Sequence, residues 1–320
     1  MYSLIYKLYF SLRRISVKHH NSFLGKTANK TIGYIEDYYN RFVVSQYKKH
    51  PLYKKGVTQN KRDKKLIVSL TSFPKRIGSV WITIESLLRQ SLKPDEIILW
   101  LAEDQFDGID SLPKELLEQR KGGLTIRFCK DLRSHKKYFY AMQEYPDDLI
   151  ILMDDDMFYP YDTLKTLYKM HTENPNNICS LAVQVMEGGF ETMPSTWRNP
   201  KVNEKIVNSD KVQIFTGSGS LFSPKMLDRE AFNENILTEL CMYADDLWLT
   251  FMAYKKGTKI TSCKKWRAFP VTIYGTAEGS LWYINSDKGK NDEQWKNLMN
   301  YYHEDFEMIK RSIRKNDKDN

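Results

Sequence analysis

The chain has 320 residues, 41% hydrophobic and 13% aromatic, so it reads as globular, with enough apolar content for one sizeable core or two lobes sharing one. Its 49 lysines and arginines exceed 40 aspartates and glutamates, and the formal net charge of +9 favours anionic partners such as phosphates or an acidic membrane. No apolar stretch approaches the roughly 20 residues that span a bilayer, no export signal is recognisable, and Cys129, Cys179, Cys241 and Cys263 form no C-x-x-C pair. These features set aside a membrane-spanning chain, a zinc ribbon and a disulfide scaffold, and a cytoplasmic setting is expected.

Residues 1–20 place Met1, Leu4, Ile5, Leu8, Leu12 and Ile15 on one helical face among Lys7, Arg13, Arg14 and Lys18. That pattern suits a helix lying on an anionic membrane or one packed on the protein's own core. The polar, lysine-rich stretch from Lys48 to Lys65 reads as a linker. From Lys64 the pattern changes to strands alternating with helices: strand "KKLIVSLTSF", helix "SVWITIESLLRQ", strand "DEIILWLAED", strand "GGLTIRFCKD", helix "HKKYFYAMQEY", strand "DLIILMDDD" and helix "YDTLKTLYKMHTENP". Such alternation predicts an α/β chain with a mainly parallel sheet, whose ligands gather beyond the C-terminal ends of its strands. After Pro175, "ICSLAVQVME" and "KVQIFTGSGSLF" read as strands and "ADDLWLTFMAYKKG" as a helix closed by Gly257. The stretch "NDEQWKNLMNYYHEDFEMIKRSIRK" reads as a final helix, with "NDKDN" disordered.

The chemistry concentrates at the acids. Asp154, Asp155 and Asp156 follow a buried strand run, and on an extended backbone the first and third point to one side. Like charges at a strand end need an offsetting cation. A Mn²⁺ or Mg²⁺ held by one or two carboxylates and completed by a diphosphate meets that need. The loop after the first strand, with Thr71, Phe73 and Arg76, and Asp131 after the third strand, stand where base and ribose contacts begin in nucleotide-binding sheets. Glu103 and Asp104 hold the matching place after the second strand. His135, Lys136 and Lys137 lie just upstream of the acidic triplet, where one lysine could neutralise phosphate, and Asp245 and Asp246 open an apolar helix, where a helix dipole also favours acids.

Taken in order, "IVSLTSFPKRI", "SHKKYFYAM", "ILMDDDMFYP", "GSGSLF" and "ADDLWL" resemble the GT-A glycosyltransferases, particularly inverting bacterial enzymes of surface polysaccharide and lipid-linked glycan synthesis. The resemblance implies a Rossmann-like nucleotide-binding sheet with an acceptor-side half. The resemblance covers Leu66 to Gly257, and with the compositional break near Lys61 it divides the chain into residues 1–60, a basic amphipathic segment and linker, 61–285, the catalytic domain, and 286–320, a charged C-terminal helix and tail. The resemblance also implies that Asp154 approaches the ribose or sugar of a nucleotide-sugar donor, a UDP-sugar by class, and shares with Asp156 a Mn²⁺ or Mg²⁺ ion. Lys137 and Asp155 join the donor site, Gly217 and Gly219 touch sugar or phosphate, and Asp246 is the catalytic base with Asp245 as its orienter. Ala-Asp-Asp replaces the Glu-Asp commoner in that family, which leaves the order of the two acids open. Trp197, Arg198, Trp248 and Tyr274 are candidates to stack on acceptor sugars. The expected acceptor is a glycan or lipid-linked saccharide, reached by an enzyme peripheral on the inner membrane face through residues 1–20, and no nucleic acid is expected.

A rival reading, nucleotidyl or phosphoryl transfer with two metals at the acidic clusters, draws on the letters YADD, which also occur in polymerase palm domains. That motif needs a strand returning from its turn, whereas "LWLTFMAYKKG" has the pattern of a helix.

Overall fold

The computed structural model describes residues 8–9, 11–13, 15–16, 19, 22–50, 52, 55–200, 204, 206–262, 270–276 and 289–318. Helix α1 (Phe23–Lys49) is followed by β1 (Leu66–Thr71), α2 (Val80–Leu88), β2 (Glu96–Ala102), α3 (Lys114–Glu118) and β3 (Leu124–Cys129). Then come α4 (Lys136–Glu144), β4 (Leu149–Leu152), β5 (Met157–Phe158), α5 (Thr163–Glu173), β6 (Ile178–Ser180) and β7 (Val183–Val185). The second half holds β8 (Ile206–Ser209), β9 (Val212–Ile214), β10 (Ser220–Phe222), α6 (Glu234–Cys241) and α7 (Asp245–Lys255). It closes with β11 (Ile260–Ser262), β12 (Val271–Thr272), α8 (Lys290–Tyr301) and α9 (His303–Lys318).

The main sheet has the order β3-β2-β1-β4-β10-β6-β11-β8. Strands β3, β2, β1 and β4 run parallel, while β10 is antiparallel to both β4 and β6. Strands β1, β2 and β4 are mostly apolar because both faces are covered, whereas the edge strand β3 is only half-buried along its middle and carries Thr125 and Arg127. Leu66, Val68 and Leu70 of β1 pack with α2 and α5 on one face, and Ile67, with Ile98 and Ile150, packs on the other with α4, α6 and α7. The chain steps outward from β1 to β3 and then returns to place β4 on the other side of β1. That reversal opens a crevice between their C-terminal ends, the usual place for a ligand in such a sheet. Thr71 to Arg76 and Asp154 to Asp156 line it. The antiparallel β10 pairs Ser220 with Leu152, which brings the Thr216–Gly219 turn beside the acidic triplet.

Several elements differ from the sequence expectation. Residues 23–49, read as part of a basic segment and linker, form a helix of 27 residues. Its Ala28, Ile32 and Val43 are buried, Ser22 Oγ caps it by accepting the Gly25 N–H at 3.2 Å, and Tyr39 meets Phe158 edge to face at 5.4 Å. "ICSLAVQVME" is two short strands, since β6 joins the main sheet and β7 pairs with β9 in a separate one. "KVQIFTGSGSLF" is strand, 3₁₀ turn and strand, with Gly219 at φ +112° permitting the reversal. The final helix is two, broken at Tyr302, and the second extends to Lys318 into the stretch read as disordered.

Trp295 and Leu298 of α8 and Phe306 and Ile309 of α9 are buried with Phe251 of α7, so these charged helices bury an apolar stripe in the main core. In the described part of residues 1–20, Tyr9 and Ser16 are buried while Leu8 is exposed; Tyr9 donates to Glu36 Oε1 at 2.7 Å, and Arg13 pairs with Glu36 at 3.3 Å. Met1, Leu4, Ile5, Lys7, Arg14 and Lys18 lie outside the described residues, as does Cys263. Among the described residues no helix is long and apolar enough to cross a membrane.

Candidate active site

Strand β4 ends at Leu152, and the backbone bends through the acids that follow. The first and third acids therefore take different partners. Asp154, 39% exposed at its side chain, accepts from Lys137 Nζ at 2.7 Å. Asp155 and Asp156 share Arg76, whose two terminal nitrogens lie 2.7 Å from Asp155 and 3.0 Å from Asp156. Ser72 Oγ also donates to Asp155, and the Phe73 ring sits 5.4 Å from the guanidinium. The positive charge among the three carboxylates is thus protein-borne: one arginine from the loop after β1 and one lysine from α4.

Lys137 reaches a second acidic cluster. It is 3% exposed, and its ammonium also lies 3.1 Å from Asp245 Oδ2. Thr216 holds the neighbouring acid, donating its N–H to Asp246 Oδ1 at 2.9 Å, with its hydroxyl 2.6 Å from the same oxygen and 3.0 Å from Asp245 Oδ2. Asp245 is buried and Asp246 is partly exposed. Both lie in the first turn of α7, where the helix dipole favours them, yet their side chains leave the helix cap to reach Lys137 and Thr216. The α7 geometry removes the hairpin that a palm motif needs, and the Lys137 ammonium lies between Asp154 and Asp245.

The environment separates the two acids. Burial opposes the charge of Asp245, but Lys137 and His135 hold its carboxyl below the usual range. Burial, together with the charge of Asp245, pushes Asp246 up to about 7 against the pull of Lys137. Asp156 is likewise pushed up to about 7, by burial first, with Arg76 pulling the other way and Asp155 and Asp154 adding to the rise. Its Oδ1 is buried and has no hydrogen-bond partner.

Gly217 and Gly219 stand beside the triplet for different reasons. A Cβ on Gly217 would fall 1.7 Å from Asp154 Oδ2, so the glycine makes room for that carboxylate. Tyr159 locks the same junction, donating its hydroxyl to the Gly217 carbonyl at 2.5 Å and accepting the Asp154 N–H at 2.8 Å. Arg76 Nε donates to the Thr276 carbonyl at 3.2 Å. A cleft of about 480 Å³ opens there, walled by Lys75, Arg76, Ser79, Tyr274 and Thr276.

Other sequence candidates have structural duties. Thr71 donates to the Trp100 carbonyl at 2.8 Å. Asp131 accepts from Lys136, from Gln105 at 2.9 Å and from the Arg133 N–H at 2.9 Å, which commits it and Lys136 to shaping the turn before α4. His135 is buried, with Nε2 2.9 Å from the Cys241 carbonyl. Glu103 and Asp104 are exposed. Trp197 and Trp248 are core residues: Trp197 packs on Trp295 at 5.1 Å, and Trp248 donates to the Ala231 carbonyl at 3.1 Å. Neither offers a face to a sugar. Arg198 is paired with Glu204 at 2.8 Å, while Tyr274 is exposed at the cleft. Sequence reasoning missed Thr216, Ser72 and Tyr159. The signal for Thr216 was its place directly before the glycine turn, and Ser72 and Tyr159 lie within or next to motifs already singled out.

Comparison with known proteins bears on this arrangement. Residues 75–230, just under half of the chain, match the family model described as Glycosyl transferase family 2. The match takes in Arg76, Lys137, the acidic triplet and the glycine turn and ends before Asp245. No curated protein matches the sequence. Among solved structures, the mannosyltransferase PcManGT from Pyrobaculum calidifontis, in complex with GDP-Man and Mn²⁺, is 14% identical with a TM-score of 0.47, covering 92% of this chain and 76% of its own. S. aureus TarS 1–349 is 14% identical with a TM-score of 0.42 over 64% of this chain and 59% of that one, and its complex with UDP-GlcNAc is 13% identical.

Proposed function

We propose, from the premise that this chain is a glycosyltransferase carrying a family 2 domain, that it moves a sugar from a nucleotide-diphosphate donor to a hydroxyl of a glycan or lipid-linked acceptor, with inversion. The observation that carries this reading is the meeting of two acidic clusters at one buried ammonium: Lys137 touches Asp154 at 2.7 Å and Asp245 at 3.1 Å. A leaving diphosphate and an attacking hydroxyl need opposite electrostatics side by side, and this junction supplies both.

The residues fit a divalent ion. Asp156 offers a buried carboxylate oxygen with no hydrogen-bond partner, and Asp154 a partly exposed carboxylate. Among the described residues no group of three or more ligating side chains is gathered, so the protein's share would be these two carboxylates, with diphosphate and water completing the shell. Bound there, Mn²⁺ or Mg²⁺ would stabilise the negative charge of the leaving group. Arg76 and Lys137 fix the carboxylates and add positive charge beside the diphosphate. The cleft beside Arg76, with Phe73 under the guanidinium, is suited to the nucleoside end of the donor, a UDP-sugar in our reading.

Asp246 acts as general base. Thr216 ties down its Oδ1 with two contacts, which leaves Oδ2 to take the proton from the acceptor hydroxyl as the hydroxyl attacks the anomeric carbon. A carboxylate pushed up to about 7 is well matched to that transfer. Asp245, held ionised by Lys137, orients the pair. Metal-dependent release of nucleotide from a panel of UDP-sugars, measured without acceptor, tests the reading. Asp156→Ala is expected to abolish metal-dependent donor binding in calorimetry while the far-UV spectrum is unchanged. Donor affinity that ignores both metal and Asp156→Ala would overturn it.

A further inference from the structure

Helix α1 turns an unusual face to solvent. Gly25, Ala28, Ile32 and Val43 are buried against the domain, but Phe23 is 87%, Tyr34 65%, Tyr38 61% and Leu24 54% exposed. Phe23, Lys30, Tyr34, Arg41 and Lys48 follow one another at spacings of four or seven residues and so form one stripe along a helix about 40 Å long. Lys26 and Lys49 are exposed beside it. The helix has two acids. Glu36 is turned inward to Tyr9 and Arg13, and Asp37 pairs with Arg41 at 3.0 Å. The outer face is therefore aromatic and strongly positive, the composition that settles at a headgroup boundary: rings at the interface and lysines among anionic phosphates. One exposed apolar side chain is ordinary, but Phe23, Leu24, Tyr34 and Tyr38 are all exposed on this one helix.

We propose that the outer face of α1 docks on an anionic phospholipid surface, with the helix lying in the headgroup plane. The docking element is thus α1, while Tyr9 and Arg13 of the segment before it brace α1 from behind through Glu36. The inner face of α1 contacts the residues that follow the acidic triplet: Phe158 packs edge to face on Tyr39 at 5.4 Å and shares a core with Val43. Docking would hold the Asp154–Asp156 end of the sheet roughly one helix diameter, about 10 Å, from the lipid. This inference stands apart from the sugar-transfer reading, because it concerns the face away from the carboxylates.

The test is co-sedimentation of the full chain with phosphatidylcholine vesicles, with and without phosphatidylglycerol, at low and high salt. Binding is expected only to the anionic vesicles and is expected to fall with salt. Lys26→Gln with Lys30→Gln should weaken it roughly 25-fold at low salt, and Phe23→Ser with Tyr34→Ser should weaken it at both salts. Lys256→Gln, just past the end of α7, with Lys296→Gln on α8, exposed positions on the side of the opposite sheet face, should leave it unchanged. All of these positions are exposed, and far-UV spectra check that the fold is kept. Equal sedimentation of wild type and both α1 variants would overturn the proposal. So would equal weakening by the Lys256/Lys296 pair, which would mean diffuse attraction to a basic protein. Conversion of a dimer to a monomer by the Phe23/Tyr34 pair, with sedimentation unchanged, would assign the face to a second copy instead. Donor hydrolysis, measured separately, reports on the sugar-transfer reading alone.

Discussion

Replacing Lys137 by methionine keeps much of the side-chain volume and removes an ammonium that touches both acidic clusters. With an effective dielectric of about 20, that charge is attracted by about 6 kcal/mol to Asp154 at 2.7 Å and about 5 kcal/mol to Asp245 at 3.1 Å. Most of this gross attraction offsets the desolvation of the three groups, and solvent screens the Asp154 arm, so the Asp245 arm dominates. Truncation leaves Asp245 buried without its counter-ion, at a cost of about 3–5 kcal/mol. The pH dependence has a definite sign. Burial opposes the Asp245 charge, but Lys137 and His135 hold its folded pKa below the ordinary value. Such a carboxylate contributes stability above its unfolded pKa, near 4, and that contribution disappears as pH falls through the lower folded value. The deficit of Lys137→Met should therefore be largest near neutrality and shrink below about pH 4. Urea unfolding followed by tryptophan fluorescence, at about pH 7.5 and in acid, reads both quantities. Equal midpoints at neutral pH, or a deficit that persists undiminished in acid, would refute the assignment of Lys137 as a buried counter-ion.

Asp246→Asn is expected to lower turnover by at least ~10²-fold with donor affinity retained, and the wild-type rate should rise with pH through about 7. The same substitution should stabilise the fold in alkali: a carboxyl raised to about 7 contributes stability that is full below its unfolded pKa and lost as pH rises through about 7. Melting curves at acid and alkaline pH check this. Gly217→Ala puts a methyl 1.7 Å from Asp154 Oδ2 and should cost about 1–3 kcal/mol while weakening metal-dependent donor binding in calorimetry. Trp295→Ala, in a cluster where Trp295 meets Phe190 at 5.2 Å and Phe306 at 5.4 Å, should cost about 3–5 kcal/mol in urea unfolding, as a core residue would.

The parallel half of the fold was legible because its strands are continuous apolar runs of Leu, Ile and Val punctuated by Pro94, Gly123 and the acids after Met153. That order alone placed the Thr71 loop and the acids after Met153 at C-terminal strand ends, while their facing each other across a crevice came only with the strand order. Helix α1 was also written in the chain, in the spacing of Ala28, Ile32, Ile35, Tyr39 and Val43, but polar neighbours and exposed aromatics dilute the pattern. The short strands of the second half resist reading because three residues carry too little periodicity to distinguish a strand from a turn, and β7 and β9 choose each other rather than the main sheet. Side-chain partnerships are harder still. Nothing in the local sequence says that Lys137, and not Lys136, turns to the acids: both are buried lysines on one short helix, and Asp131 takes the other.

Arg76 joins the carboxylates to a distant part of the chain. Besides holding Asp155 and Asp156, its Nε donates to the Thr276 carbonyl at 3.2 Å, next to the strand that pairs β5 with β12. A ligand that draws Asp156 away from the guanidinium spends part of its binding free energy on this three-way tie. Thermodynamic reciprocity then requires that whatever fixes residues 270–276 in place changes the affinity of that ligand by the same factor by which the ligand changes theirs. Were a ligand at the triplet to shift the guanidinium, its occupancy and the hold on the Thr276 carbonyl would be two readings of one equilibrium.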